Sequence, residues 1–120
     1  MKAALLCLAL IACGASAREN TLKVALVTAD AARAAFMSYD AHHQLDIVDA
    51  DKASGKTLEQ AQADLAAYRK ARVPVVEALE TSYRALAAAA VLEDDPKNLD
   101  NLKAALGILA DALHALGVTP

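Results

Sequence analysis

The side chains with the most chemistry to offer sit close together at His42, His43 and Asp46. On a helix, Asp46 lies four residues after His42 and three after His43, so either imidazole can share a cation with that carboxylate. Adjacent histidines point about 100° apart around a helix axis, so both rings do not easily turn to one ion. Asp49 offers a further oxygen, but a zinc site wants three or four convergent ligands. His42, His43 and Asp46 are therefore weak metal candidates. The plainer expectation is a solvated His42 and a His43 hydrogen-bonded at the edge of a helix seam. His114, paired with Met37 or with a histidine of the first helix, has the types for haem ligation. The chain has no Cys-x-x-Cys-His for covalent attachment, and alanine-lined seams leave little room for a bound ring.

Other candidates are weaker. Glu77 and Glu80 stand one turn apart, a pairing that surface helices carry routinely. No serine lies in the Gly-x-Ser-x-Gly setting that exposes a nucleophile. Ser54-Gly55-Lys56-Thr57 shares its last letters with a phosphate-binding loop, yet that loop needs a glycine where Ala50 stands and a strand before it. Asp49 and Asp51 would also repel phosphate. We read the segment as a turn between helices, and expect no catalytic residue and no cofactor.

The elements that must position these residues are helical. The first runs from about Asn20 to Asp51. Leu22, Ala25, Ala29, Ala32, Phe36, Tyr39, His43 and Ile47 step by three and four, which lines one helix face. A second apolar stripe runs through Val24, Val27, Ala31, Ala34, Ala41, Leu45 and Val48. Two such faces predict a helix that touches two neighbours. Gly55 suits the end of this helix, where a positive φ is needed. Thr57 and Gln60 form a capping box that opens the second.

The second seam is Leu58, Ala61, Leu65, Tyr68, Arg72, Val75, Leu79, Ser82, Leu86 and Ala89. Pro74 interrupts it at a cost of about 3 kcal/mol. The spacing carries through the proline, so one long kinked helix to about Leu92 is favoured over two separate ones. Arg72 on the seam must snorkel or pair with an acid across the bundle. Asp95 and Pro96 predict the next N-terminus. A leucine seam follows at 99, 102, 106, 109, 113 and 116, and Gly117 stops it. Gly107 lies off that seam and would permit a close approach. Short turns make the helices alternate up and down. The third is much the shortest, which leaves one end of the long pair uncovered. The expected fold is all-α: an elongated antiparallel three-helix bundle over 18–120, with a kink in the second helix, preceded by a signal sequence at 1–17.

Composition agrees. There are 31 alanines among 120 residues, one phenylalanine, three tyrosines and no tryptophan. Alanine favours helices that pack at close range over a core of large side chains. The net charge is −3, or −4 once Lys2 leaves with the leader, which argues against nucleic acid as a partner. Arg69-Lys70-Ala71-Arg72 is locally basic, but on a helix it fans over too wide an arc to form one stripe. Cys7 and Cys13 both fall in the leader, so the domain after it holds no internal disulfide.

The leader itself has a basic Lys2, an apolar run from Ala3 to Ala12 and small residues after it, the parts of an export signal. The run is too short for a permanent spanning helix, which needs about 20 apolar residues. Leu10-Ile11-Ala12-Cys13 resembles the lipobox of bacterial lipoproteins. The resemblance implies that Cys13 is acylated and becomes the N-terminus. Gly14, in place of the aspartate linked to inner-membrane retention, implies the outer membrane as destination. Ala15-Ser16-Ala17 offers the alternative of ordinary cleavage before Arg18, which would release a free periplasmic or secreted bundle. In outline the chain is similar to small helical lipoproteins of bacteria and their phages, including subunits of lysis machinery. That likeness is generic. The lipobox, the two-faced first helix, the unequal helix lengths and the lack of a catalytic constellation point to a non-enzymatic envelope protein acting through helix contacts with a protein or peptidoglycan-layer partner, or as a homo-oligomer. A soluble periplasmic binder of a metal or small ligand, using His42, His43 and Asp46, is the rival reading.

Overall fold

The computed structural model describes residues 15–92 and 95–119. The leader up to residue 14, including the lipobox and Cys13, lies outside the described residues. Four helical segments make up the fold: α1 (Ala15–Ala53), α2 (Leu58–Ala71), α3 (Val73–Val91) and α4 (Lys97–Leu116). Segments α2 and α3 are the two halves of one bent helix, separated by Arg72 alone. There is no strand among the described residues, and the chain folds as the elongated all-α bundle that its seams predict. Its extents are 61 × 23 × 16 Å.

Pro74 explains the bend. It cannot donate to the turn before it and its ring crowds that turn, so the ladder breaks there. Arg72 keeps α-helical angles (φ −81°, ψ −14°) and accepts hydrogen bonds from the N–H groups of Val75 and Val76. The axis therefore bends and continues. Proline near the start of α3 costs little, because those first N–H groups have no helical partner in any case.

The ends close by local chemistry. Thr57 Oγ1 accepts from the Gln60 N–H at 3.2 Å, and Gln60 Oε1 accepts from the Thr57 N–H at 3.0 Å. Asp95 Oδ1 accepts from the Lys97 N–H at 2.9 Å, and Pro96 is already helical at φ −62°. Asp95 is thus the working cap of α4. Gly117 takes φ +92°; its N–H donates to His114 O, and the Val118 N–H donates to Leu113 O. That pair of bonds is a Schellman closure, and the buried Val118 supplies the apolar contact that goes with it. At the other end of the bundle, the Arg18 guanidinium donates to the carbonyls of Ala89 and Leu92, where α3 ends.

One core joins α1, α3 and α4. Ala25, Ala29, Ala32 and Phe36 of α1 meet Val75, Ala78 and Leu79 of α3 and Leu102, Leu106, Leu109 and Leu113 of α4. Small residues on α1 let the leucines of α4 reach in, so large and small side chains interdigitate as close packing requires. The buried hydroxyl of Ser82 is satisfied by Ala78 O at 2.8 Å. Helix α4 packs chiefly on α3 and ends level with Tyr39, whose hydroxyl donates to Leu116 O at 3.0 Å. Beyond that level α1 and α2 continue as a two-helix extension, the uncovered end that the unequal helix lengths predict.

Three local expectations change. Helix α1 is already formed at Ala15, the first described residue and five residues ahead of Asn20, and nothing in Ala15–Glu19 breaks it. Leu58 is 76% exposed, since the seam of the extension opens at its tip. Gly107 makes no close approach: a Cβ there would meet nothing within 4 Å.

Candidate interaction surface on helix α1

The extension lacks leucines, and polar groups hold it together instead. Asp40 is the hub. Its Oδ1 accepts from Tyr68 Oη at 3.0 Å, and its Oδ2 accepts from Arg72 at 2.6 Å and from Gln44 Nε2 at 3.1 Å. Gln44 Oε1 in turn accepts from Arg69 Nε at 3.3 Å. Arg72 does pair with an acid across the bundle, and it does so at the bend, which ties the kink to α1. Tyr68 is buried; its burial, and then the Asp40 carboxylate beside it, raise the pKa of its hydroxyl. Two of the three cations in the basic run 69–72, Arg69 and Arg72, are spent in this network, so the run is not a free patch.

His43 is stacked on Tyr39 with ring centroids 5.0 Å apart, and its other side faces Tyr68 at 4.6 Å. It is an aromatic filler between α1 and α2. His42 turns outward, with Nδ1 2.8 Å from Ser38 O, beside a shallow cleft of about 380 Å³ lined by Tyr39, Gly117 and Val118. Asp46 is exposed. His42 and Asp46 stay one turn apart on exposed helix, while His43 is taken up between the rings of Tyr39 and Tyr68. Among the described residues, no group of three His, Cys, Asp or Glu side chains is placed to hold one ion. Met37 and His114 are each exposed on separate helices. Glu77 and Glu80 are exposed on α3, and Glu80 pairs with Arg84.

Lys56 in the turn bridges the carboxylates of Asp51 and Asp64. The hydrogen bond from Lys56 holds the Asp64 pKa below its usual value, and the two acids raise that of Lys56. The segment that shares letters with a phosphate-binding loop is a cap-and-clamp between two helices. Its lysine is committed to carboxylates.

The second stripe of α1 departs from expectation. Both neighbours of α1 sit on the face that carries Ala25, Ala29, Ala32 and Phe36. The other stripe lies about half a turn away; Ser38 at its centre lines the cleft beside Gly117–Thr119, and the rest of the stripe is turned from both neighbours. Val27, Ala31, Ala34, Ser38, Ala41, Leu45 and Val48 are all exposed, with Val27 at 67% and Leu45 at 63%. Only Val24, at its start, packs against the core. The physical reason is geometric. Helices arranged around one core each turn a single arc inward, and α1 has apolar residues on two opposite arcs. Leu26 and Met37 widen the exposed row on one side. From Val27 to Val48 the steps alternate four and three, the heptad spacing of a coiled-coil seam. No charged residue interrupts it, and it is about 32 Å long at 1.5 Å per residue. No described helix is long and apolar enough to cross a membrane.

Most of this stripe is legible in the sequence as a second apolar face, but no described helix covers it. The part played by Asp40 is not legible there. The available signal was Arg72: a cation on a seam asks for an acid on the facing helix, and Asp40 adjoins Tyr39 on the seam of α1. Compared with protein-family models, curated proteins and solved structures, the chain matches none.

Proposed function

We propose that this chain is a non-enzymatic lipoprotein of a bacterial envelope, of bacterial or phage origin, that works through protein contacts made by helix α1. The observation that carries this reading is the exposed heptad stripe. A monomeric surface seldom carries a continuous apolar row of this length, and such rows are commonly partner surfaces. The lipobox at 10–13 supports an anchor at Cys13, which places the stripe on the periplasmic side of the outer membrane. A structural role for each polar cluster supports the non-enzymatic part. Asp40, Tyr68 and Arg72 satisfy one another, His43 fills a gap between rings, and Lys56 clamps a turn.

The test of the anchor is the intact mass of the mature chain recovered from an envelope fraction. The expected product begins at Cys13 and carries acyl chains. A product beginning at Arg18 with no modification overturns the anchor and leaves a free periplasmic bundle.

A further inference from the structure

We infer that the occupant of the exposed α1 stripe is a second copy of this chain, paired in parallel and in register. This inference rests on the reading of Cys13 as a membrane anchor.

The spacing sets the mode of contact. Seven exposed positions at alternating steps of four and three present a heptad seam, which drifts about 20° per heptad and so asks the two helices to wind gently left-handed about each other. In register, each stripe residue faces its own counterpart. The alanines and Ser38 at the centre let two backbones approach closely, while Val27 at one end and Leu45 and Val48 at the other fill the wider gaps. The flanks neither help nor oppose. In a parallel pair each residue before an Ala31-type position faces one five residues on in the partner. Those pairs are Lys23 with Thr28, Asp30 with Ala35, Met37 with His42 and Gln44 with Asp49, and none opposes like charges. Asp30 is already bonded to Tyr83, Gln44 to Asp40 and Arg69, and Ala35 packs on the chain's own core, so the apolar seam alone carries the contact.

Area decides what kind of pair this is. A seam of about 32 Å by about 10 Å covers about 600 Å² over two copies. A stable free-standing interface needs about 1,000 Å². Two domains diffusing in solution are therefore expected to stay apart. The anchor changes this balance. Cys13 stands two residues before the start of α1 and 14 before Val27. Copies held by Cys13 on one surface share the polarity of α1 at the tether and are confined to one thin layer. That confinement raises their effective concentration. It also selects the parallel arrangement, because an antiparallel pair would send its two tethers to opposite ends of a helix about 58 Å long.

The experiment uses the full chain in a bacterial envelope, labelled metabolically with a radioactive fatty acid. Ala34→Cys and Ala41→Cys are made separately, with Glu77→Cys on the exposed side of α3 as the control. The envelopes are oxidised mildly and run on a non-reducing gel. The expected result is a labelled band at twice the chain mass for Ala34→Cys and for Ala41→Cys, and none for Glu77→Cys. Adding Ala34→Glu to the Ala41→Cys chain should remove the band, because a carboxylate then faces its twin inside the seam. A labelled chain that stays monomeric with both stripe cysteines overturns the pairing and leaves the anchor standing. A band formed only when Ala34→Cys and Ser38→Cys chains are mixed means an antiparallel pair and overturns the arrangement. An unlabelled chain overturns the anchor, and the parallel pairing falls with it.

Discussion

Replacing Asp40 with alanine takes away the acceptor that Tyr68, Arg72 and Gln44 share. Tyr68 is buried at the α1–α2 contact, and stranding a buried hydroxyl costs about 1–3 kcal/mol. The Arg72 side chain keeps 30% exposure and that of Asp40 keeps 17%. Water can therefore take over part of the ion pair, and its loss adds only about 0.5–1 kcal/mol. The expected destabilisation is about 2–3 kcal/mol, a fall in melting temperature of about 10–20 °C for a domain of about 100 residues. The loss should not be spread evenly. The extension has few buried apolar contacts beyond Tyr68, so amide exchange should accelerate first in α2 and in the last turns of α1. Thermal unfolding by circular dichroism gives the total, and hydrogen exchange gives the location. A double-mutant cycle with Tyr68→Phe should be less than additive by about 1 kcal/mol, since one bond is shared. If Asp40→Ala melts within about 0.5 kcal/mol of the parent, or if the cycle is additive, the polar hub is not what joins the extension.

Gly107→Ala should stabilise the domain by about 0.5–1 kcal/mol, because the site is helical with open space for a methyl group. Gly117→Ala should do the reverse by about 1 kcal/mol, since its φ of +92° closes α4; urea titrations of both variants check the opposite signs. Stability should also fall in alkali. The folded-state pKa of Tyr68 is raised by burial and by Asp40. Its contribution is therefore complete below the unfolded tyrosine value of about 10 and is lost as the pH climbs from there toward the folded value. Tyr83 is raised in the same direction by burial and by its bond to Asp30. Melting curves between pH 8 and 11 should show the decline, and Tyr68→Phe should flatten it.

Periodicity made the three-helix path, the bend and the core readable in advance. Leu102, Leu106, Leu109 and Leu113 lie where a period of 3.6 puts them, and Thr57, Asp95 and Gly117 cap as their types require. The direction in which the second α1 stripe points was not readable. A helix with two apolar faces specifies two contacts, and a single chain offered neighbours for only one. Asp40 was hidden for a related reason. Its role depends on Tyr68 and Arg72 arriving from a helix some thirty residues away, and no local spacing encodes that meeting. The two histidines, the most conspicuous residues by type, take ordinary positions. His43 is wedged between tyrosines, and His42 is turned toward a backbone carbonyl one turn earlier.

The most direct measurement of the α1 surface is site-specific photo-crosslinking of the full chain in an envelope. A photoreactive residue is placed at Leu45 on the stripe and, in a second chain, at Glu77 on α3. The expected result is a strong adduct from Leu45 at twice the chain mass and little or none from Glu77. Equal yields at the two positions, or no adduct from Leu45, would contradict the assignment of the stripe as the contact surface.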